Sequence, residues 1–292
     1  MIISKISSGL GNQLFQYSIG RQLSLLKNAP LKLDISFFET QNLRNYRLDN
    51  YNIEGGVATE EEILSFTNIY RERSLKAFIK RKIQNSAAKH KKPLFYEKEW
   101  WNYEPSLLKA GPNVYIRGYW QHYKYFENLN PSIFSELKLK ESLEADIINL
   151  VAEINNNTSS ISVHIRRGDY VSNSANHLMN ILPKEYYLKG FSFLKRKIKN
   201  PVFYFFSDDL NWVKDNFKMD APSIFVDAQK DYLELDIMSK CSHNIIANST
   251  FSWWAAFLNQ NPKKIVVSPK HWVANLEINK RVEIQFPTWI KI

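Results

Sequence analysis

The sequence predicts an α/β protein built from two Rossmann-like domains that face a central cleft. Three observations carry this. Short apolar strands alternate with helical patterns of period 3.6, as in parallel sheets covered by helices. Both halves contain a strand that runs into a polar loop and then a helix. The 292 residues, 44% of them hydrophobic and 14% aromatic, are enough for two packed cores.

Along the first half, Ile2 to Ile6 reads as a buried strand, "SSGLGN" as a tight loop and Gln13 to Lys27 as a helix. Phe15, Ile19, Leu23 and Leu26 fall on one stripe of that helix. "PLKLDIS" is a second strand, "TEEEILSF" an acidic helix start, and Asn113 to Gly118 a further strand. The helical stretch "ESLEADIINLVAEI" ends in the polar cluster "NNNTSS", which sets a boundary between domains 1–155 and 156–292. The last residues are candidates for returning to the first domain. The second half is more regular. Strands "SISVHIRR", "PVFYFFSDD", "SIFVD", "HNIIANS" and "KKIVVSP" are separated by a helix opened at Pro183 and by "LNWVKDNF", "YLELDIMSKC" and "TFSWWAAFLN".

Charge narrows the partners. The net charge is +10, but the segment from Arg71 to Lys92 alone holds +8, so the basicity is a local patch. Among Phe, Tyr and Trp only Phe78 lies within this run of lysines and arginines, and no zinc-finger, RNP or helix-turn-helix signature accompanies it. A nucleic-acid partner is not expected. A helix over 73–85 would carry an apolar stripe under a cationic face. That suits either packing on its own domain or peripheral contact with an anionic inner membrane. The single cysteine, Cys241, rules out an internal disulfide. With no signal pattern and no apolar run near 18 residues, the expected location is the cytoplasm.

The motifs with chemical content lie at strand ends. "SVHIRRGDYV" starts as a strand, with Ile161, Val163 and Ile165 alternating with Ser162 and His164, and ends in Arg166, Arg167, Gly168 and Asp169. Ligands of open α/β sheets sit at such carboxyl ends. One arginine there is suited to fork onto a phosphate, while the other pairs with Asp169. His164 on its own would read as a core histidine. In "IIANSTFSWW", Asn248, Ser249 and Thr250 cap an apolar helix whose N-terminal amides and dipole suit an anion. Trp253 and Trp254 sit mid-helix and are read as core. "SSGLGNQ" offers Gly9 and Gly11 for close backbone approach and Asn12 and Gln13 as polar heads, without a dinucleotide fingerprint. Asp208 and Asp209 suit either magnesium or the cap of the helix that follows.

Together "SSGLGNQLFQY", "HIRRGDY", "FFSDD" and "CSHNIIANSTFSWWAAFLN" resemble, in order and spacing, bacterial α-1,2-fucosyltransferases, from Ile2 to about Pro269. The resemblance implies a GT-B-like fold and inverting transfer of fucose from GDP-fucose to a β-galactoside, without a cofactor or divalent metal. The setting it implies is O-antigen or surface-glycan synthesis, where the acceptor can be lipid-linked. The first domain would take the acceptor and the second GDP-fucose. By the same resemblance Arg166 would hold the β-phosphate and His164 would lie near the nucleoside. Asp236 would read guanine, and the stretch Asn248, Ser249, Thr250, Phe251 and Ser252 would wrap the pyrophosphate. Gly11 and Asn12 would face the fucose. Inversion needs a base for the attacking hydroxyl. Asp169 is preferred, and His177 is the second candidate. A non-catalytic GDP-sugar or glycan-binding module is the alternative to an enzyme.

Overall fold

The computed structural model describes residues 1–68, 88–140, 144–168 and 181–292. The candidate bases Asp169 and His177 and the expected basic helix over 73–85 lie outside them. The chain divides into two compact units, Met1–Lys140 and Glu141–Ile292.

In the first unit, strands β1 (Ile2–Lys5), β2 (Leu31–Asp34), β3 (Gly56–Val57), β4 (Leu94–Tyr96) and β5 (Val114–Arg117) form one sheet. Its order is β3-β2-β1-β5-β4, with every pair parallel. Helix α1 (Leu10–Lys27) returns from β1. Gly20 lets it approach closely, since a Cβ there would lie 2.8 Å from the Cβ of Ser4 on β1. Phe15, Ile19 and Leu23 of the expected stripe are fully buried, whereas Leu26, in the last turn, is 55% exposed. The helix starts earlier than the glycines suggested. Leu10 is buried and nucleates the first turn, so Gly11 and Asn12 are helical, not loop.

Helix α2 (Glu60–Thr67) opens on a capping box in which Thr59 and Glu62 satisfy each other's backbone amides. Helix α3 (Ser132–Glu136) brings Glu136 against α1. That buried carboxylate accepts from the Tyr17 hydroxyl and from Arg21, whose Nη2 lies at 2.8 Å. Tyr17 in turn accepts from the amide of Glu54 at 2.9 Å.

In the second unit, helix α4 (Ala145–Asn156) precedes β6 (Ser160–Ile165), followed by α5 (Lys184–Lys195), β7 (Val202–Ser207) and α6 (Leu210–Asn216). Then come β8 (Ser223–Phe225), α7 (Asp231–Lys240), β9 (His243–Ile245), α8 (Thr250–Leu258), β10 (Val266–Ser268), α9 (Leu276–Asn279) and β11 (Ile290–Lys291). The sheet order is β11-β10-β9-β6-β7-β8, again wholly parallel. The units part before α4, not after it. Ile154 of α4 is buried, and Glu153 accepts from the Tyr204 hydroxyl of β7 at 2.8 Å, which ties the helix to the second sheet. The last strand stays there too, because β11 pairs with β10 and Ile292 donates its amide to the Ser268 carbonyl at 3.0 Å.

All six residues of β6 are buried. Its alternation separates two covered faces, as in the centre of a parallel sheet. Ile161, Val163 and Ile165 join a core with Tyr187, Phe191 and Phe205. On the other face Ser162 accepts from Asn244, which also donates to the Met238 carbonyl of α7. Trp253 and Trp254 are core residues with no exposed surface. No described helix is long and apolar enough to cross a membrane.

Candidate functional site

The second sheet reverses its strand order beside β6, where β9 lies next to it, and the first sheet breaks its sequential order between β1 and β5. Ligands of open parallel sheets bind at the carboxyl ends of strands beside such a reversal. Arg166, Arg167, Asp208 and the start of α8 lie at the first place, and Ser8, Asn12 and Gln13 at the second.

In the second unit, β6 and β7 run in register as far as Ile165 opposite Ser207, so the residues that follow meet. Arg166 Nη1 lies 3.0 Å from Asp208 Oδ2. The other Asp208 oxygen accepts the Arg167 amide at 2.9 Å. Gly168 admits this carboxylate, since a Cβ on it would stand 2.9 Å from Asp208 Oδ2. Arg167 stacks its guanidinium 3.6 Å above the Trp212 ring and pairs with Asp209 at 3.4 Å. Asp209 also caps α6 by accepting from the Trp212 amide at 3.2 Å. Asp208 and Asp209 are thus engaged by arginines and a helix cap. Arg167 has Asp209 and Trp212 as its described partners, while the expected partner Asp169 lies outside the described residues.

His164 is 3% exposed, and its Nδ1 has no partner among the described residues. Burial, then the Arg166 cation, push its pKa well below the usual histidine range, with Asp208 opposing. The ring is neutral at pH 7. It lies 5.4 Å from the ring of Phe251, in the first turn of α8. That helix starts beside His164 because Ser249 caps it, accepting from the Phe251 amide at 3.3 Å. Ser249, Thr250 and Phe251 keep some exposed surface. Asn248 and Ser252 turn inward: Asn248 donates to the Trp272 carbonyl at 3.2 Å, and the Ser252 hydroxyl donates to backbone carbonyls of Ala247 and Ser249. These two shape the loop, and the other three line it.

On α7, Glu234 interacts electrostatically with both Asp208 and Arg166. Burial first, then Asp227, Asp231 and Asp208, push its pKa up to about 7, with Arg166 opposing. Asp236 lies two residues further on, more than half a turn around the helix, and pairs with Lys240 at 3.2 Å.

In the first unit, the first turn of α1 and the loop after β5 are joined by Gln121 Nε2 donating to Asn12 Oδ1 at 2.8 Å. Ser8, in the loop after β1, and Trp120, in the loop after β5, hold left-handed backbone at φ 67° and φ 56°. Such strain persists only where the surroundings fix it. Gln13 and Gln16 do so here. Gln13 accepts the Arg47 amide and donates to the Ser8 and Asn45 carbonyls, while Gln16 bonds to both Ser7 and the Gly118 carbonyl. Asn12 is half-buried and Gly11 is buried.

The profile of Glycosyl transferase family 11 matches residues 1–292. The chain belongs to this family. An alpha-1,2-colitosyltransferase of Escherichia coli is 31% identical over 290 residues, 96% of this chain and 94% of that protein. The O-antigen biosynthesis glycosyltransferase WbnK of Escherichia coli is also 31% identical, over 99% of each chain. A galactoside alpha-(1,2)-fucosyltransferase 1 of Bos taurus is 25% identical over 55% of this chain and 47% of its own.

For a family 11 glycosyltransferase, the sequence reading missed Asp208, Glu234 and Trp212 as neighbours of the arginines. Their signal was present in part. "IRR" and "SDD" each end a strand with a charged pair, and a parallel in-register pairing brings such opposite charges together.

Proposed function

We propose that this family 11 enzyme moves L-fucose from GDP-β-L-fucose to the 2-hydroxyl of a terminal β-galactose, with inversion. The observation that supports this best is the cluster of Arg166, the α8 N-terminus and buried His164, whose Nδ1 has no partner among the described residues, at the strand reversal of the second unit. Breaking the sugar–phosphate bond builds negative charge on GDP. A guanidinium and helix N-terminal amides, fixed in advance, stabilise that charge without reorganising. A guanidinium has five donors, so Arg166 can keep Asp208 and still receive the β-phosphate. Neutral His164 offers a hydrogen bond to the nucleoside. Asp169 and His177 remain the candidate bases.

For guanine, Glu234 is a second candidate acid beside the expected Asp236, because it stands on the same helix and interacts electrostatically with Asp208 and Arg166. An ionised carboxylate accepts from guanine N1–H and N2–H together. Binding would therefore favour ionised Glu234, and affinity for GDP-fucose would rise as pH passes upward through about 7. Calorimetry should show about tenfold tighter binding at about pH 8 than at about pH 6. Glu234→Gln should flatten that dependence, whereas a wild-type affinity indifferent to pH would remove Glu234 from the base site.

A second donor follows from the first relative. GDP-colitose, which lacks the 3-hydroxyl of fucose, would use the same phosphate site. Incubating the enzyme with each donor and a panel of β-galactosides, then determining the product linkage by NMR, decides between them. No transfer and no donor hydrolysis would favour a non-catalytic sugar-nucleotide module. We further propose that the reaction needs no divalent cation, since Asp208 and Asp209 are already engaged by arginines. Turnover should survive exhaustive EDTA treatment unchanged; a loss restored by magnesium or manganese would overturn this. Contact of the segment 71–92 with anionic lipid, near a lipid-linked acceptor, remains part of the proposal.

A further inference from the structure

The first unit contains a half-buried carboxylate that the proposed chemistry does not use. Glu97 follows β4 directly, and its amide extends the ladder by donating to the Arg117 carbonyl at 2.9 Å. Its side chain then crosses to the loop leaving β5. Oε2 accepts the Tyr119 amide at 2.5 Å, and the Trp120 amide lies 3.1 Å from Oε1 and 3.2 Å from Oε2. Gly118 makes this crossing possible, since a Cβ there would fall 2.5 Å from the Glu97 Cβ and 2.8 Å from Oε2. The anchored turn is the one in which Trp120 is left-handed, with its ring buried beside Phe95 and Tyr125. Unlike Trp120, Tyr119 is 37% exposed, and its hydroxyl lies 3.3 Å from that of Ser8. The next residue, Gln121, reaches Asn12.

We infer that Glu97 is a positioning residue for the acceptor: by holding the backbone of Tyr119 and Trp120 it presents the Tyr119 ring, Ser8 and the Asn12–Gln121 pair as a platform for a neutral sugar. This rests on the glycosyl-transfer reading above. An aromatic face beside hydroxyl and amide heads matches the apolar face and hydroxyl rim of a pyranose. The clamp is electrostatic, because an ionised acceptor holds amides more strongly than a neutral one. Burial raises the pKa of Glu97 to about 7, with the Tyr119 and Trp120 amides pulling it back down, the Glu104 carboxylate adding to the rise and the Lys89 ammonium opposing it. The clamp therefore tightens as pH rises through that value.

Two variants test this. Glu97→Gln is close to isosteric but places an amide where only acceptors are wanted, and Tyr119→Ala removes an exposed ring at little risk to the fold. Each should raise the acceptor KM on the order of tenfold, with GDP affinity and donor hydrolysis by water unchanged. The double variant should be little worse than either single one, since both remove the same platform. Saturation-transfer NMR with methyl β-galactoside needs no donor, and should show binding to the wild type that both variants weaken. It keeps the inference testable even if the wild type proves inactive with GDP-fucose and GDP-colitose, a result that would sink only the reading above. A Glu97→Gln variant that loses kcat at unchanged acceptor KM would make Glu97 a proton acceptor and overturn the positioning role. So would normal galactoside binding by both variants.

Discussion

Arg166→Lys is expected to lower kcat by about 10²–10³ while the protein keeps its stability. The proposed β-phosphate contact is made where charge develops as the sugar–phosphate bond breaks. Lysine keeps the charge but not the fork that can hold Asp208 and a phosphate oxygen together. Asp208→Asn should give a milder loss, because it leaves the guanidinium in place but frees it to swing. Arg167→Lys separates the two arginines, for Arg167 lies flat on Trp212 and pairs with Asp209, away from the proposed phosphate contact. Its cost should fall mainly on thermal stability. Single-turnover rates with saturating donor are the measurement. Near-normal turnover in Arg166→Lys with a large loss in Arg167→Lys would reverse the two assignments.

The second large effect is structural. Glu136→Ala should destabilise the first unit by about 3–5 kcal/mol, read from chemical denaturation followed by tryptophan fluorescence. The substitution leaves Arg21 and the Tyr17 hydroxyl in a largely buried place without the carboxylate that both donate to. It also unlinks α3 from α1, which carries Asn12. Replacing the ion pair as a whole, with Arg21→Met and Glu136→Leu together, should recover much of the loss, because no unpaired charge then remains. A single-variant cost below about 1 kcal/mol would show that water reaches the site and screens it.

The two strand–loop–helix elements that begin at β1 and β6 were legible in the sequence because local rules decide them. Apolar period two fixed the strands, and Ser249 and Asp209 behave as the cap residues their positions suggested. The misses have local reasons of another kind. Gly9 and Gly11 suggested a tight loop running to Asn12, yet burial of Leu10 pulls the helix start back and leaves Gly11 inside it. The polar cluster after α4 suggested a boundary, yet that helix is bonded to β7 across Tyr204 and Glu153. Strands β3 and β11, of two residues each, are too short to carry any periodicity.

The sequence by itself determined the family, the parallel α/β architecture and the motifs His164–Arg166 and Asn248–Ser252, since periodicity, caps and motif spacing are properties of one stretch of chain. Which charge meets which was decided only by tertiary structure. Arg166 finds Asp208 because β6 and β7 are neighbours in register, and Glu97 reaches Tyr119 because β4 lies beside β5. On α7, helical rotation sends Glu234 and Asp236 to different partners although they are two residues apart. Ion pairs depend on distances of a few ångströms in space, and strand order, which the one-dimensional pattern does not carry, sets those distances.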